Sequence, residues 1–222
     1  EGIGKAVINR FAQEGFDIIT CARNIEKLNY LKLDLENRYP IKVHVFRVDL
    51  SIKEEVLNFG SMVNALAVPE VLVNNAGVFL PGMIETEVDG ALEHMINTNL
   101  YSAYHLTRSL MPEMKRLKKG YIFNMCSIAS IKAYANGGSY GISKFALYGM
   151  TKVLREELKE FNIKVTAVLP GATLTASWEG VDLPEERFIK VEDIAELIWT
   201  TYRLSDRTVV EDLVIRPQLG DI

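Results

Sequence analysis

Short apolar runs alternate along the whole chain with longer stretches of helical spacing, and this alternation predicts its elements. The short runs are Phe16–Cys21, Lys42–Val48, Val71–Asn74, Tyr121–Met125, Ile163–Leu169 and Val209–Ile215. Their near-continuous Val, Ile and Leu predicts strands buried on both faces, with helices above and below. Between them apolar residues recur at i, i+3 and i+4, as in Val7, Ile8 and Phe11 or in Ala146, Met150, Val153 and Leu154, marking one buried stripe per helix. Regular succession of strand and helix is the pattern of βαβ units, so the chain predicts an α/β fold on a parallel sheet. One stretch, GATLTASWEGVDLPEER at 171–187, breaks the rhythm and reads as a long loop with one helical turn, a candidate lid. No repeat, low-complexity tract or linker divides the chain, so residues 1–222 read as one domain.

Composition narrows the classes. The chain has 222 residues, 48% hydrophobic and 24% charged, with net charge −4. That balance fits a globular α/β domain and argues against a surface that binds nucleic acid through its phosphates. No segment approaches the roughly 20 apolar residues that a membrane helix needs, so no membrane partner is expected. Cys21 and Cys126 fall inside the apolar runs DIITCA and YIFNMC, where they behave as small hydrophobes. Two reduced thiols point to the cytoplasm.

The chemistry starts in SYGISKFA. Tyr140 and Lys144 are four residues apart on a predicted helix, one turn apart on the same face. An ammonium that close favours the phenolate and lowers the tyrosine pKa from about 10, which would make it a usable acid or base near neutrality. Such a pair also arises on solvated helix faces, so alone it decides nothing. Thirteen positions earlier Ser127 follows the run YIFNMC, at the end of a parallel strand where ligands bind in this class of sheet. A hydroxyl there could hydrogen-bond a carbonyl oxygen while Tyr140 delivers a proton; read alone, Ser127 is a turn serine like its neighbour Ser130.

With these residues the chain resembles the short-chain dehydrogenase/reductase family. The resemblance rests on GIG at Gly2, Ile3 and Gly4, on Asp49 with Leu50 beside it, and on NNAG at Asn74, Asn75, Ala76 and Gly77. It continues through Asn99 in NTNL, Ser127, the Tyr140 and Lys144 pair, and PG at Pro170 and Gly171. It implies a Rossmann-type doubly wound parallel sheet with helices on both faces. It also implies that Tyr140 is the general acid in reduction, that Ser127 orients the carbonyl, and that Lys144 tunes Tyr140 and holds the nicotinamide ribose. Asn99 would position a relay water. Gly2, Ile3 and Gly4 would bring a helix N-terminus to a pyrophosphate, which free N–H groups and the helix dipole favour. Asn75, Ala76 and Gly77 would lie beside the adenosine ribose, and Asp49 would accept from the adenine amino group. Pro170, Gly171, the Thr173 backbone and Thr175 would cradle the nicotinamide carboxamide.

An acid at the end of the strand Phe16–Cys21 would bind a ribose 2′-hydroxyl, whereas a base accommodates a 2′-phosphate. The chain reads Ala22 and Arg23 there, which favours NADP(H) over NAD(H), although Glu1 is a counter-signal and Arg23 could be a solvated strand-end residue. Trp178 is either a substrate wall or a hydrophobic plug. DRTVVEDLVIRPQLGDI and SWEGVD are similar to the bacterial sepiapterin reductase subfamily, which implies a pterin side-chain carbonyl as substrate, with Trp178, Glu179 and Asp182 as stacking surface and acidic anchor. The competing subfamily is 3-oxoacyl-[acyl-carrier-protein] reductase, and outside enzymes a dinucleotide-binding sensor. Family members commonly pair the helices carrying Asn99 and Tyr140, which implies a homodimer or homotetramer. The family fold also has a strand between Phe16–Cys21 and Val71–Asn74 that leads into the first glycine turn. The expectation is that roughly ten or more residues, a strand and a leading TG, precede Glu1.

Overall fold

The computed structural model describes residues 1–175, 178, 180 and 182–222. All six strands pair in parallel: β1 (Ile18–Ala22), β2 (Val43–Arg47), β3 (Val71–Asn74), β4 (Gly120–Met125), β5 (Ile163–Pro170) and β6 (Asp212–Ile215). They form two groups, β1 with β2 and the row β3, β4, β5, β6. Phe16 is not part of β1, because its ring joins an edge-to-face cluster with Phe11, Trp199 and Tyr202 instead of extending the strand. The run expected from Val209 begins only at Asp212; before it the Val210 carbonyl accepts from the Thr166 hydroxyl rather than from a ladder N–H.

Helices α1 (Gly2–Gln13), α2 (Ile25–Arg38) and α7 (Val191–Tyr202) cover one face, and α3 (Lys53–Leu66), α5 (Ser102–Leu117) and α6 (Gly138–Leu158) the other. The pleat of β4 sorts the core between them. Tyr121, Phe123 and Met125 pack with Val7, Phe11 and Ile198, while Ile122 packs with Phe59, Leu110 and Leu158. Truncating the wholly buried Phe123 to alanine would cost about 3–5 kcal/mol. This is a doubly wound α/β sheet with helices on both faces.

The two strand groups do not hydrogen-bond to each other. The facing edges of β1 and β3 line one cavity of about 1010 Å³, with Val7 and Phe11 on one side and Phe59, Val63 and Leu106 on the other. Helix α6 departs from its expected stripe: Ser143, Lys144, Leu147, Thr151, Leu154 and Leu158 are buried, whereas Val153 is exposed. The inward face is shifted because polar Lys144 and Thr151 have partners beneath the sheet end, which apolarity alone does not reveal.

Candidate active site

Three strand ends deliver the candidate residues to one place. Ser127 follows β4 and caps the short 3₁₀ turn Ile128–Ser130, its Oγ accepting from the Ala129 N–H at 3.1 Å. Ser130 closes the reciprocal bond, its Oγ accepting from the Ser127 N–H at 3.1 Å, so the neighbouring serine is the structural one. Tyr140 lies in the first turn of α6, and the ring of Phe79, from the loop after β3, meets it edge-on at 4.8 Å. Lys144 is 5% exposed and donates Nζ to the Met125 carbonyl at 2.8 Å, with the ammonium 5.8 Å from the Tyr140 ring centre.

These positions alter the expected electrostatics. Burial raises the Tyr140 hydroxyl above the ordinary phenol value, and the hydrogen bond with Ser127 works against that rise. Burial also pushes the Lys144 ammonium down to about 8. The net effect on Tyr140 is a rise, not the lowering that the spacing suggested, because burial outweighs it and the Lys144 charge is turned to the Met125 carbonyl.

Asn99 stands in a π-helical turn, Asn97–Tyr101, between α4 (Ala91–Ile96) and α5. A widened turn of this kind re-aims side chains and is frequent at functional sites. The Asn99 Oδ1 accepts from the Val78 N–H at 2.7 Å, while Nδ2 donates to the Val78 carbonyl at 3.0 Å and to the Ser143 hydroxyl at 2.9 Å. Both amide hydrogens are thus committed. Gly77 sits between the two polar groups: a Cβ there would lie 3.3 Å from Lys144 Nζ and 3.5 Å from Asn99 Oδ1.

The residues expected at a dinucleotide fall into two groups. Gly4, Arg23, Asp49, Leu50, Asn75, Ala76 and Gly77 line the cavity between the strand groups. Gly4 allows α1 to approach this turn, since a Cβ would come within 2.7 Å of Asn75 Nδ2. Asp49 Oδ1 accepts from the Ser51 N–H and hydroxyl at 2.9 and 2.7 Å, leaving Oδ2 without a partner among the described residues. Those bonds, with the charges of Arg23 and His94, hold its carboxyl below the usual range. Thr98 lines the same cavity, and its buried hydroxyl has no partner among the described residues.

The second group is Pro170, Gly171, Thr173 and Thr175, at the carboxyl end of β5. Gly2 joins it to α1: with φ of 59° it takes a left-handed conformation, and a Cβ there would lie 3.4 Å from the Thr175 methyl. Ile3 packs its side chain into the core beneath α1. The first turn of α1 carries no acid among the described residues. Glu1 is drawn away, its carboxylate 2.9 Å from Lys27 Nζ, and the bond from Lys27 holds it below the usual range. The Thr173 hydroxyl donates to the Gly171 carbonyl at 3.0 Å, which leaves its role there internal. Glycines where a Cβ would intrude and, among the described residues, a carboxylate oxygen of Asp49 and the Thr98 hydroxyl without partners fit a dinucleotide.

The irregular stretch is pinned by a parallel bridge between Thr173 and Ile189 and ends in a 3₁₀ turn, Glu185–Arg187. Trp178 packs at 5.1 Å on Phe188, a residue only 8% exposed, so its ring is anchored on the core. Asp182 is exposed, and Glu179 lies outside the described residues. Sequence reading missed a buried polar chain under the site. Asn74 Nδ2 donates to Asn124 Oδ1 at 2.8 Å and to Thr107 Oγ1 at 3.0 Å, and Asn124 Nδ2 donates to Thr151 Oγ1 at 2.9 Å. Its signal was an asparagine inside the apolar run YIFNMC, a position tolerated only when hydrogen-bonded. Among the described residues no three His, Cys, Asp or Glu side chains gather as for a metal.

A doubly wound parallel sheet with this constellation at its strand ends defines a Rossmann-type nucleotide-binding protein. The short chain dehydrogenase family profile matches residues 1–185, and the chain belongs to that family of NAD(P)-dependent oxidoreductases. It is 30% identical to sepiapterin reductase of Chlorobaculum tepidum, over 100% of this chain and 94% of that one. It is 31% identical to the 3-oxoacyl-[acyl-carrier-protein] reductase of Thermotoga maritima, over 89% and 84%. Among solved structures, L-sorbose reductase of Gluconobacter frateurii complexed with NADPH and L-sorbose superposes with a TM-score of 0.89 at 25% identity, over 97% and 91%. Several similar structures are complexes with NADP or NADPH.

Proposed function

We propose that the chain is an NADPH-dependent carbonyl reductase in which Tyr140 protonates the carbonyl oxygen. The observation that carries this reading is the meeting of Ser127, Tyr140 and Lys144 at the end of β4 and the start of α6, with Tyr140 half-buried and its phenol raised. A phenol that keeps its proton near neutrality suits a donor to the oxyanion that forms during reduction. Ser127 would hydrogen-bond that oxygen, and Lys144 would steady the tyrosinate left behind. Asn99 holds Val78, and through it the loop bearing Phe79, against α6; its proposed relay water would have to use the second lone pair of Oδ1.

A dinucleotide held by these residues would supply a hydride to the carbonyl carbon. The first-turn N–H groups of α1, with Gly2, Ile3 and Gly4, would hold its pyrophosphate. Asp49, Leu50, Asn75, Ala76, Gly77 and Thr98 would hold the adenosine half, and Pro170, Gly171, Thr173 and Thr175 the nicotinamide half. Arg23 is exposed at the end of β1 beside Asp49, a placement that supports NADP(H) over NAD(H). Lys144 would hold the nicotinamide ribose. For substrate, the aromatic Phe79 beside Tyr140 supports a flat carbonyl compound such as a pterin side-chain ketone, and the sepiapterin reductase relative supports the same class.

Exposed Tyr101, Tyr104, Phe145 and Val153 on α5, α6 and the turn before α5 support a homo-oligomer built on those helices. Two free cysteines whose thiols burial raises, to about 12 for Cys21 and about 11 for Cys126, support a cytoplasmic setting. No helix among the described residues is long and apolar enough to cross a membrane. The test is NADPH oxidation with sepiapterin, a small dicarbonyl and an acetoacetyl thioester side by side, for the wild type and Tyr140→Phe. The expected result is turnover preferring sepiapterin, lost in the variant while NADPH binding persists. Preference for the thioester would shift the reading to the acyl-carrier-protein reductase, and turnover by the variant would overturn the role of Tyr140.

A further inference from the structure

Helix α6 starts without a side-chain cap from its own N-cap residue, Gly137. An acid fifty-two positions upstream does the work. The Glu87 carboxylate, from the loop after β3, accepts the Ser139 backbone N–H at 2.8 Å through Oε1 and the Ser139 hydroxyl through Oε2. Ser139 is 2% exposed and immediately precedes Tyr140. The same loop meets the helix start at two more points: the Gly82 N–H donates to the Asn136 carbonyl at 3.0 Å, and Phe79 lies edge-on against Tyr140. Gly138 makes the approach possible, since a Cβ there would lie within 2.6 Å of the Gly82 carbonyl oxygen.

We propose that Glu87 is a positioning residue that fixes the first turn of α6, and with it the Tyr140 hydroxyl, from outside the helix. This rests on the reading of Tyr140 as proton donor. A carboxylate at a helix N-terminus satisfies otherwise orphaned N–H groups and complements the dipole. Here its two oxygens grip backbone and side chain of one residue, which fixes rotation as well as position of the turn. Without that grip the loop and the turn would keep the Gly82 to Asn136 bond, the parallel bridge of Gly82 with Gly137 and the Phe79 contact, none of which holds Ser139 itself. A glutamine at 87 would keep both bonds in modified form, its Oε1 accepting the N–H and its Nε2 donating to the Ser139 hydroxyl. An alanine would keep neither.

The experiment compares wild type, Glu87→Gln and Glu87→Ala, with kcat expressed per NADPH-binding site so that unfolded protein does not count. Glu87→Ala is expected to lower kcat about tenfold with the KM for NADPH unchanged, and Glu87→Gln to restore most of it, because small misplacements of a reacting group are costly. Amide hydrogen exchange of the peptide spanning residues 138–141 is expected to quicken by about tenfold in Glu87→Ala and not in Glu87→Gln. An unchanged kcat in Glu87→Ala, or an equal loss in both variants, overturns the proposal. So does unchanged exchange, which is read without any turnover. Loss of the catalytic reading shows separately, as turnover by Tyr140→Phe.

Discussion

Lys144→Met tests the electrostatics of the site through stability instead of rate. The side chain is 5% exposed, and burial lowers its ammonium from the ordinary 10.5 to about 8. At about 1.4 kcal/mol for each tenfold change in proton affinity, holding that charge in the folded protein at neutral pH costs roughly 3 kcal/mol. A methionine of similar length removes the cost but leaves the Met125 carbonyl without its 2.8 Å donor, a loss of about 1–3 kcal/mol. The variant should therefore be at least as stable as the wild type at pH 7, by about 1 kcal/mol, while losing turnover. Lys144 binds its proton more weakly folded than unfolded, so the penalty is fully present below pH 8 and is relieved as pH rises from 8 towards 10.5. Between pH 7 and 9.5 the wild type should gain roughly 2 kcal/mol on the variant. Urea denaturation of the two proteins at both pH values reads this difference, and other titrating groups cancel in the comparison. A stability gap that stays constant with pH would refute the buried-charge reasoning.

Two further predictions concern the dinucleotide. Gly4→Ala should raise the Kd for NADPH about tenfold, read by fluorescence titration, because a Cβ within 2.7 Å of Asn75 Nδ2 displaces that side chain from the turn it lines; an unchanged Kd would mean Asn75 is not part of the cradle. Arg23→Ala should raise the KM for NADPH about tenfold or more and that for NADH much less, the difference a phosphate contact makes. Equal effects on both would remove Arg23 from the 2′-phosphate.

Strand positions were legible because buried parallel strands are nearly continuous apolar runs, and β3, β4 and β5 begin and end within a residue of their expected bounds. Two of the departures share a cause. Val209 and Val210 are β-branched enough to continue a strand, yet the Val210 carbonyl is taken by the Thr166 hydroxyl. Val153 has the right spacing for a core position, yet α6 turns Lys144 and Thr151 inward instead. In both cases a polar partner on another element overrides local apolarity, and spacing along one chain carries no record of it. Glu87 is the extreme case, a single acid in an irregular loop whose partner lies fifty-two positions away.

The motif glycines show the same limit from the other side. GIG and NNAG give no reason for glycine beyond a phosphate turn, but the structure separates three. Gly2 is there for its left-handed backbone, Gly4 for the close passage of α1 over Asn75, and Gly77 for the space that Lys144 and Asn99 occupy. The last bears on the chemistry. A side chain at 77 would press on Lys144 Nζ, which donates to the Met125 carbonyl beside a half-buried phenol. In that setting Tyr140 keeps its proton and Lys144, near 8, carries most of its charge at pH 7. A protonated phenol beside a cation is the state a proton donor needs before reduction, and it is reached here by burial of the whole pair, not by the one-turn spacing that first drew attention to it.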